Sequence, residues 1–291
     1  MPELPEVEVT RRAVAPHLVG RRIARVRTTK PSYFFLTPPA RLRAALSGRT
    51  VRSLDRHGKY LIATLDDGAR LLLHLGMTGQ LFAAGARSVR LLSAERRAAL
   101  APETQPAFRP DLHTHLRLEF SDGPPDLYFR DIRKFGKCAL LLPGAEDARL
   151  EKLGIDALNA TGRDLFAAAS VRKIPIKSLL LDQAVIAGIG NIYADEALFY
   201  AGVRPTRSAR RVTRAECDLI VKEARRVLRR AIRAGGSSID DFVRPDGSDG
   251  EYQHERRVYA REGEPCSRCG TTLLRVVIGQ RSAHFCPGCQ K

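Results

Sequence analysis

Pro265-Cys-Ser-Arg-Cys-Gly270, followed by Phe285-Cys-Pro-Gly-Cys-Gln290, is the stretch from which the fold of this 291-residue chain is read. Cys266 and Cys269 form one Cys-x-x-Cys pair, Cys286 and Cys289 a second, and sixteen residues separate them. Four thiolates at this spacing suit a tetrahedral zinc ion, and an all-sulfur shell with no open position makes the metal structural. Between the pairs, Leu273, Leu274, Val276, Val277 and Ile278 lead to Gly279, the pattern of two strands joined by a tight turn. A β-hairpin zinc finger over 257–291 is therefore expected. The other two cysteines, Cys138 in an apolar run and Cys217 on a helix face, read as core thiols.

Towards the N-terminus from the finger, the pattern is helical. From Thr213 to Ala234 the apolar positions Cys217, Ile220, Val221, Ala224, Val227, Leu228, Ala231 and Ile232 keep helical spacing. Thr213-Arg-Ala-Glu216 has the form of a capping box, and Gly235-Gly236 closes the helix. Its other face carries Arg225, Arg226, Arg229, Arg230 and Arg233, read as a solvated face ahead of a DNA contact. Further upstream, Leu179 to Ala187 reads as an apolar helical run that ends in Gly188-Ile-Gly190-Asn191. The two glycines allow a sharp turn, and the following helix offers free N–H groups suited to a phosphate. A dinucleotide site is excluded, because Tyr193 occupies the third glycine position and no strand precedes the turn.

Residues 21 to about 142 change period. Lys59–Leu65, Ala69–Leu75, Leu116–Phe120 and Lys137–Leu142 are short apolar or alternating runs, punctuated by Asp66-Asp67-Gly68 and Ser121-Asp122-Gly123-Pro124. An antiparallel sandwich or barrel follows, preceded by a short helix around Glu6 to Leu18. Arg87 to Pro110 is polar and aperiodic, and reads as a long loop or insertion. The fold class is thus α+β in two domains, 1–143 and 144–291.

Charge narrows the function. Lys plus Arg total 49 against 32 Asp plus Glu, a net +17, with the basic residues dispersed along the chain. A polyanion is the implied partner, and nucleic acid fits better than a membrane surface. With 44% hydrophobic residues and no run of eighteen apolar residues, the chain reads as soluble and intracellular.

The N-terminus, Met1-Pro-Glu-Leu-Pro-Glu-Val-Glu8, adds chemistry. Read structurally, Pro2 and Pro5 start a helix and Glu3, Glu6 and Glu8 complement its dipole. Read chemically, loss of Met1 leaves a secondary amine beside a carboxylate. Such an amine titrates near pH 8, roughly, so part of it is unprotonated and nucleophilic at neutral pH. Attack on a sugar C1′ by a secondary amine gives an iminium ion, an electron sink for strand cleavage.

Taken with the zinc hairpin and the Gly188–Asn191 turn, this start closely resembles bacterial formamidopyrimidine-DNA glycosylase. The likeness also rests on His57-Gly-Lys-Tyr60, His74-Leu-Gly-Met-Thr-Gly79, Phe129–Gly136, Leu181–Phe199, Val258–Gly263 and Gln280–Gln290, so it runs essentially the whole length. It implies a β-sandwich catalytic domain with an N-terminal helix, and a helix–two-turn–helix domain with the zinc finger. It further implies a bifunctional glycosylase and AP lyase of base excision repair, a bacterial cytoplasmic monomer acting on double-stranded DNA with oxidised bases or abasic sites.

The resemblance also implies roles. Pro2 attacks C1′ as the base leaves, and Glu3 supplies a proton or stabilises charge at the sugar ring oxygen. Lys59 assists base departure and the first elimination, and Arg281 grips phosphate and assists the second. Met77, Arg133 and Phe135 form the wedge that fills the hole left by a flipped nucleotide. His113, Arg172, Lys177 and Asn191 fall at DNA-backbone positions, with Tyr193 and Glu196 in support. Leu4 and His74–Met77 point to the purine branch, away from the sister endonuclease VIII family, which prefers oxidised pyrimidines. Ile132 departs from the proline usual before the wedge arginine, and Arg244 to Gln253 occupy the loop that in this family can cover the flipped base. The alternatives are a pyrimidine-specific relative and a catalytically silent DNA-binding zinc protein.

Overall fold

The computed structural model describes residues 2–86, 108–239 and 242–291, and the chain divides into two compact units. Met1–Asp147 and Ala234–Glu251 make the first; Ala148–Arg233 and Tyr252–Lys291 make the second.

The first unit opens with helix α1, Leu4–Val14, capped by Glu3, with a single 3-10 turn at Ala15–His17. The helix starts earlier and stops earlier than its sequence pattern suggests. Pro5 fits the first turn, where its missing N–H costs nothing, and Pro16 halts α-helical bonding. Then come β1 (Ile23–Thr28), α2 (Pro39–Leu46), β2 (Val51–His57), β3 (Tyr60–Leu65), β4 (Arg70–His74), β5 (Gly79–Ala83), β6 (Thr114–Phe120), β7 (Leu127–Asp131) and β8 (Lys137–Leu141). They form two antiparallel four-stranded sheets, ordered β1-β6-β7-β5 and β2-β3-β4-β8. Val26, Leu116, Leu118 and Phe129 of one sheet and Leu61, Ala63, Leu71 and Leu73 of the other share one apolar core, closed by Val7 and Val14 of α1 and Leu42 and Leu46 of α2. Each of the Val, Leu and Phe side chains contributes about 1.5–3 kcal/mol by leaving water. This is the α+β sandwich with an N-terminal helix that the sequence implies. Of the expected Arg87–Pro110 loop, residues 87–107 lie outside the described residues; Phe108 stacks edge-on against Phe82.

The second unit contains α3 (Ala148–Glu151), β9 (Ile155–Asp156), α4 (Gly162–Ala169), α5 (Ile176–Leu181), β10 (Ile186–Ala187), α6 (Asn191–Ala201), α7 (Arg214–Arg233) and the hairpin β11 (Leu274–Ile278) and β12 (Arg281–Phe285). All eight residues picked out by helical spacing in α7 are the buried ones. The capping box forms, with Thr213 N–H donating to Glu216 Oε2 at 2.7 Å and Glu216 N–H to Thr213 Oγ1 at 3.2 Å. The apolar run Leu179–Ala187 is a shorter helix than expected. The Asp182 carboxylate accepts from Ala184 N–H at 3.0 Å, an Asx turn that competes with helix, and Ile186–Ala187 instead pair with Ile155–Asp156 as a parallel bridge. Among the described residues no helix is long and apolar enough to cross a membrane.

Candidate active site and zinc centre

Of the residues singled out by sequence, the first unit holds Pro2, Glu3, Lys59, Met77, His113, Arg133 and Phe135. Pro2 is buried just ahead of α1, and Glu3 caps that helix. Glu3 N–H donates to Glu6 Oε2 at 2.8 Å, and Glu6 Oε1 accepts from Ser237 N–H at 2.9 Å. Glu6 therefore ties the N-terminal turn to the segment preceding the Arg244–Gln253 loop, a role the sequence does not announce. In that loop Arg244 N–H donates to Ser248 O at 2.8 Å.

Lys59 occupies the two-residue turn of the β2–β3 hairpin, between the paired His57 and Tyr60, and is 8% exposed. Gly58 takes φ +56 there, the left-handed conformation this turn requires at its first position. Beside it, the rings of Tyr60 and His74 lie 4.7 Å apart. Burial, reinforced by the cations of Lys59 and Lys137, pushes His74 down to about 4, so its ring is neutral at working pH. Its Nδ1 then accepts from Gly76 N–H at 3.1 Å.

Met77, Arg133 and Phe135, the residues expected to form a wedge, come from two loops packed against each other. Gly76, φ +64, permits that packing: a Cβ there would lie 2.4 Å from Gly136 N and 2.5 Å from Phe135 C. Met77 is half-buried; Arg133 and Phe135 are exposed, with the Arg133 guanidinium 4.7 Å from the Phe135 ring centre. Both loops are pinned by wholly buried Asp131. Its Oδ1 accepts from the Thr78 hydroxyl and from Arg133 N–H at 3.2 Å, and its Oδ2 from Gly136 N–H at 2.6 Å. Ile132 is exposed, and the bonds from Arg133 and Gly136 N–H to the Asp131 carboxylate hold the chain just beyond it. His113, partly exposed, precedes β6; its N–H donates to Asp111 Oδ1 at 3.1 Å.

Arg172, Lys177, Asn191, Arg281 and the four cysteines belong to the second unit. Gly190 caps α6, and Asn191 opens it, its Nδ2 donating to Ser282 Oγ at 3.3 Å. Arg172 is partly exposed, 3.9 Å from Asp182. Lys177 is fully buried, its Nζ 2.6 Å from Asp195 Oδ1 and donating to Ser282 O, so it ties helix to hairpin. Asp195 Oδ2 also accepts from His284 N–H at 2.8 Å. Buried Glu196 accepts from the N–H groups of Arg257, Val258 and Tyr259 at 2.9–3.0 Å, fixing the chain as it enters the finger. Tyr193 is buried against Tyr252, ring centres 5.5 Å apart.

In the finger, Ile278 pairs with Arg281 across Gly279 and Gln280, whose φ values of +53 and +64 are those of a two-residue type I′ turn. Arg281 is exposed as the first residue of β12. The four Sγ atoms of Cys266, Cys269, Cys286 and Cys289 lie within 4.8 Å of one another, with Cys266–Cys289 at 3.8 Å and Cys269–Cys286 at 3.4 Å. A tetrahedron with Zn–S bonds of about 2.3 Å has edges near 3.8 Å. Arg268 and Cys289 donate N–H bonds of 3.4 Å to the sulfurs of Cys266 and Cys286. The residues fit one structural Zn2+, and four sulfur ligands leave no position for a substrate.

An antiparallel sandwich with a proline at its helix start, in a chain whose helical unit bears a four-cysteine cluster, defines a zinc-finger protein of two-unit α+β build. The formamidopyrimidine-DNA glycosylase N-terminal domain matches residues 1–138, the formamidopyrimidine-DNA glycosylase H2TH domain 153–243, and the zinc finger found in FPG and IleRS 263–291. Formamidopyrimidine-DNA glycosylases of Hahella chejuensis and Paracoccus denitrificans are 42% and 43% identical, covering all of both chains. The crystal structure of MutM (FPG) from Thermus thermophilus superposes with a TM-score of 0.82 at 36% identity, covering 99% of this chain and 98% of that one. A Lactococcus lactis FPG mutant in complex with Fapy-dG DNA gives 0.83 at 33% identity over the whole of both chains. The chain belongs to the formamidopyrimidine-DNA glycosylase family.

Proposed function

We propose that this chain is a bifunctional DNA glycosylase and AP lyase of base excision repair, removing 8-oxoguanine and formamidopyrimidines from duplex DNA. The observation that carries the reading is the family match along the whole chain, which includes a buried Pro2 directly before the Glu3-capped helix. The Pro2 amine forms a bond to C1′ as the glycosidic bond breaks, and the base leaves with the electron pair and takes up a proton. The sugar ring then opens to an iminium ion. Loss of a 2′ proton expels the 3′ phosphate, and a second elimination expels the 5′ phosphate. Glu3 serves the ring oxygen, Lys59 the departing base and first elimination, and Arg281 the second.

Met77, Arg133 and Phe135 fill the gap left by the flipped nucleotide. His113, Arg172 and Asn191 meet the phosphates, giving salt-sensitive binding without sequence preference. Residues 1–143 are the catalytic domain and 144–291 the DNA-binding one, and the enzyme works as a monomer in the bacterial cytoplasm, on nucleoid DNA.

Catalysis requires removal of Met1, because a Pro2 nitrogen inside a peptide bond is a tertiary amide with no nucleophilic lone pair. The test is borohydride trapping on an 8-oxoguanine:cytosine duplex, with intact mass of the N-terminus and an oxidised-pyrimidine duplex for comparison. A stable protein–DNA crosslink from protein starting at Pro2 is expected. No crosslink from such protein overturns the mechanism, and faster excision of the pyrimidine overturns the purine assignment.

A further inference from the structure

The carboxylate of Glu8 has no part in the chemistry proposed above, yet it accepts four hydrogen bonds from three arginines. It sits on the second turn of α1, six residues after Pro2, and its side chain is 8% exposed. Oε1 accepts from Arg11 Nη2 at 2.9 Å and Arg12 Nε at 2.7 Å; Oε2 accepts from Arg11 Nε at 3.0 Å and Arg56 Nε at 3.1 Å. Burial pushes this carboxyl up, but the hydrogen bonds from Arg11 and Arg12 and the charges of Arg11 and Arg56 outweigh it and hold it at about 2. The cluster is therefore charged throughout the working range.

Arg56 continues the chain of bonds. Its side chain is 7% exposed, and while Nε is held by Glu8, Nη1 donates to the carbonyl of Gly58 at 2.9 Å. That carbonyl belongs to the peptide unit joining Gly58 to Lys59. Gly58 has no Cβ and sits at φ +56, so the plane of this unit is weakly fixed by local sterics. A planar guanidinium clamped at one edge by a carboxylate and bonded at another to the carbonyl fixes it. Arg11 adds a parallel link, Nη1 donating to Leu54 O at 3.2 Å on the same strand β2.

We propose that Glu8 and Arg56 are positioning residues that register the helix following Pro2 and Glu3 against the turn carrying Lys59, and so aim Lys59 at the departing base. The proposal rests on the catalytic roles assigned above to Pro2 and Lys59. Arg56 touches no reacting atom and acts through the peptide plane ahead of Lys59. Lysine cannot replace it, because one ammonium on a shorter stem cannot reach the carboxylate and the carbonyl in the same fork geometry.

The experiment is a mutant cycle read in single turnover, with Arg56→Met, Arg56→Lys and Glu8→Gln placed in the wild-type and Lys59→Met backgrounds. Two substrates are used: an 8-oxoguanine duplex, which requires base departure, and a preformed abasic site, on which the Pro2 crosslink with borohydride is followed. Arg56→Met is expected to slow 8-oxoguanine excision by about tenfold to a hundredfold, the scale of a misaimed catalytic group. Crosslinking at the abasic site and the thermal midpoint should move far less. In the Lys59→Met background the same substitution should add little, since residues acting as one unit are not additive. Arg56→Lys should fall between wild type and Arg56→Met. Equal losses on both substrates, or equal factors in both backgrounds, overturn the proposal, as does no loss from Arg56→Met. Where Lys59→Met excises too slowly to time, the contrast between the two substrates decides alone. Wild-type protein that gives no crosslink on either substrate indicts the Pro2 mechanism itself and is told apart by that control.

Discussion

Lys177 and Asp195 form an ion pair closed to solvent on both sides, 2.6 Å from Nζ to Oδ1, that joins α5 to α6 and, through Ser282 and His284, to the zinc hairpin. Removing one partner of such a pair strands the other charge in a low dielectric. Lys177→Met should therefore lower the stability of the second unit by about 3–5 kcal/mol, measured from denaturant midpoints of zinc-loaded protein. Lys177→Met with Asp195→Asn should be milder than Lys177→Met alone. Normal stability with selective loss of DNA affinity would instead place Lys177 in the phosphate-binding set.

Asp131 gives a second test. Because one carboxylate holds Thr78, Arg133 and Gly136, Asp131→Ala should loosen both wedge loops at once. Excision of 8-oxoguanine should drop by about tenfold to a hundredfold, whereas cleavage of an abasic site, with no base to extrude, should drop much less. Fluorescence of a reporter base beside the lesion should show slower flipping.

Metal removal separates the units. Metal analysis should find one zinc per chain, and Cys286→Ser or a strong chelator should abolish it. For a site of this kind binding free energy is folding free energy, so the finger should unfold and gel-shift affinity for tetrahydrofuran-containing duplex should collapse. The β-sheet circular dichroism of the first unit should survive. Retained affinity after complete zinc loss would contradict the reading of the finger.

His74 should titrate near pH 4 by imidazole NMR, and Lys59→Met should raise that midpoint by removing a neighbouring cation. The sign for stability follows from a folded value below the unfolded value of about 6.5. This contribution is whole below pH ~4 as a penalty on the folded state, fades as pH rises, and is gone above pH ~6.5, so acid weakens the fold through this ring. An unshifted midpoint in Lys59→Met would mean that the lysine charge lies elsewhere.

The fold is legible in sequence because its signals are periodic or chemical: the eight apolar positions of α7, the alternation of β3 and the cysteine spacing each need only local sequence. The pairing of Lys177 is not legible for the opposite reason: its acid, Asp195, lies eighteen positions away on another helix, and no local pattern announces it. Asp131, Glu6 and Arg56 are silent because their work is done on backbone N–H and C=O groups, whose positions no residue pattern encodes. The amine of Pro2 beside Glu3 can be read chemically from the first residues, whereas roles for Lys59 and Arg281 come only through family resemblance, since neither burial nor spacing singles out a turn lysine or a turn arginine.

The hydrogen bond from Ser237 to Glu6 spans 231 positions of sequence within one unit. Chain order thus interrupts the first unit with Ala148–Arg233 before Ala234–Glu251 completes it. On a ribosome, the sandwich emerges early but lacks its last segment until most of the helical unit has been synthesised. The N-terminal turn that Glu6 caps therefore gains its bond from Ser237 only late in translation, after most of the helical unit has left the ribosome.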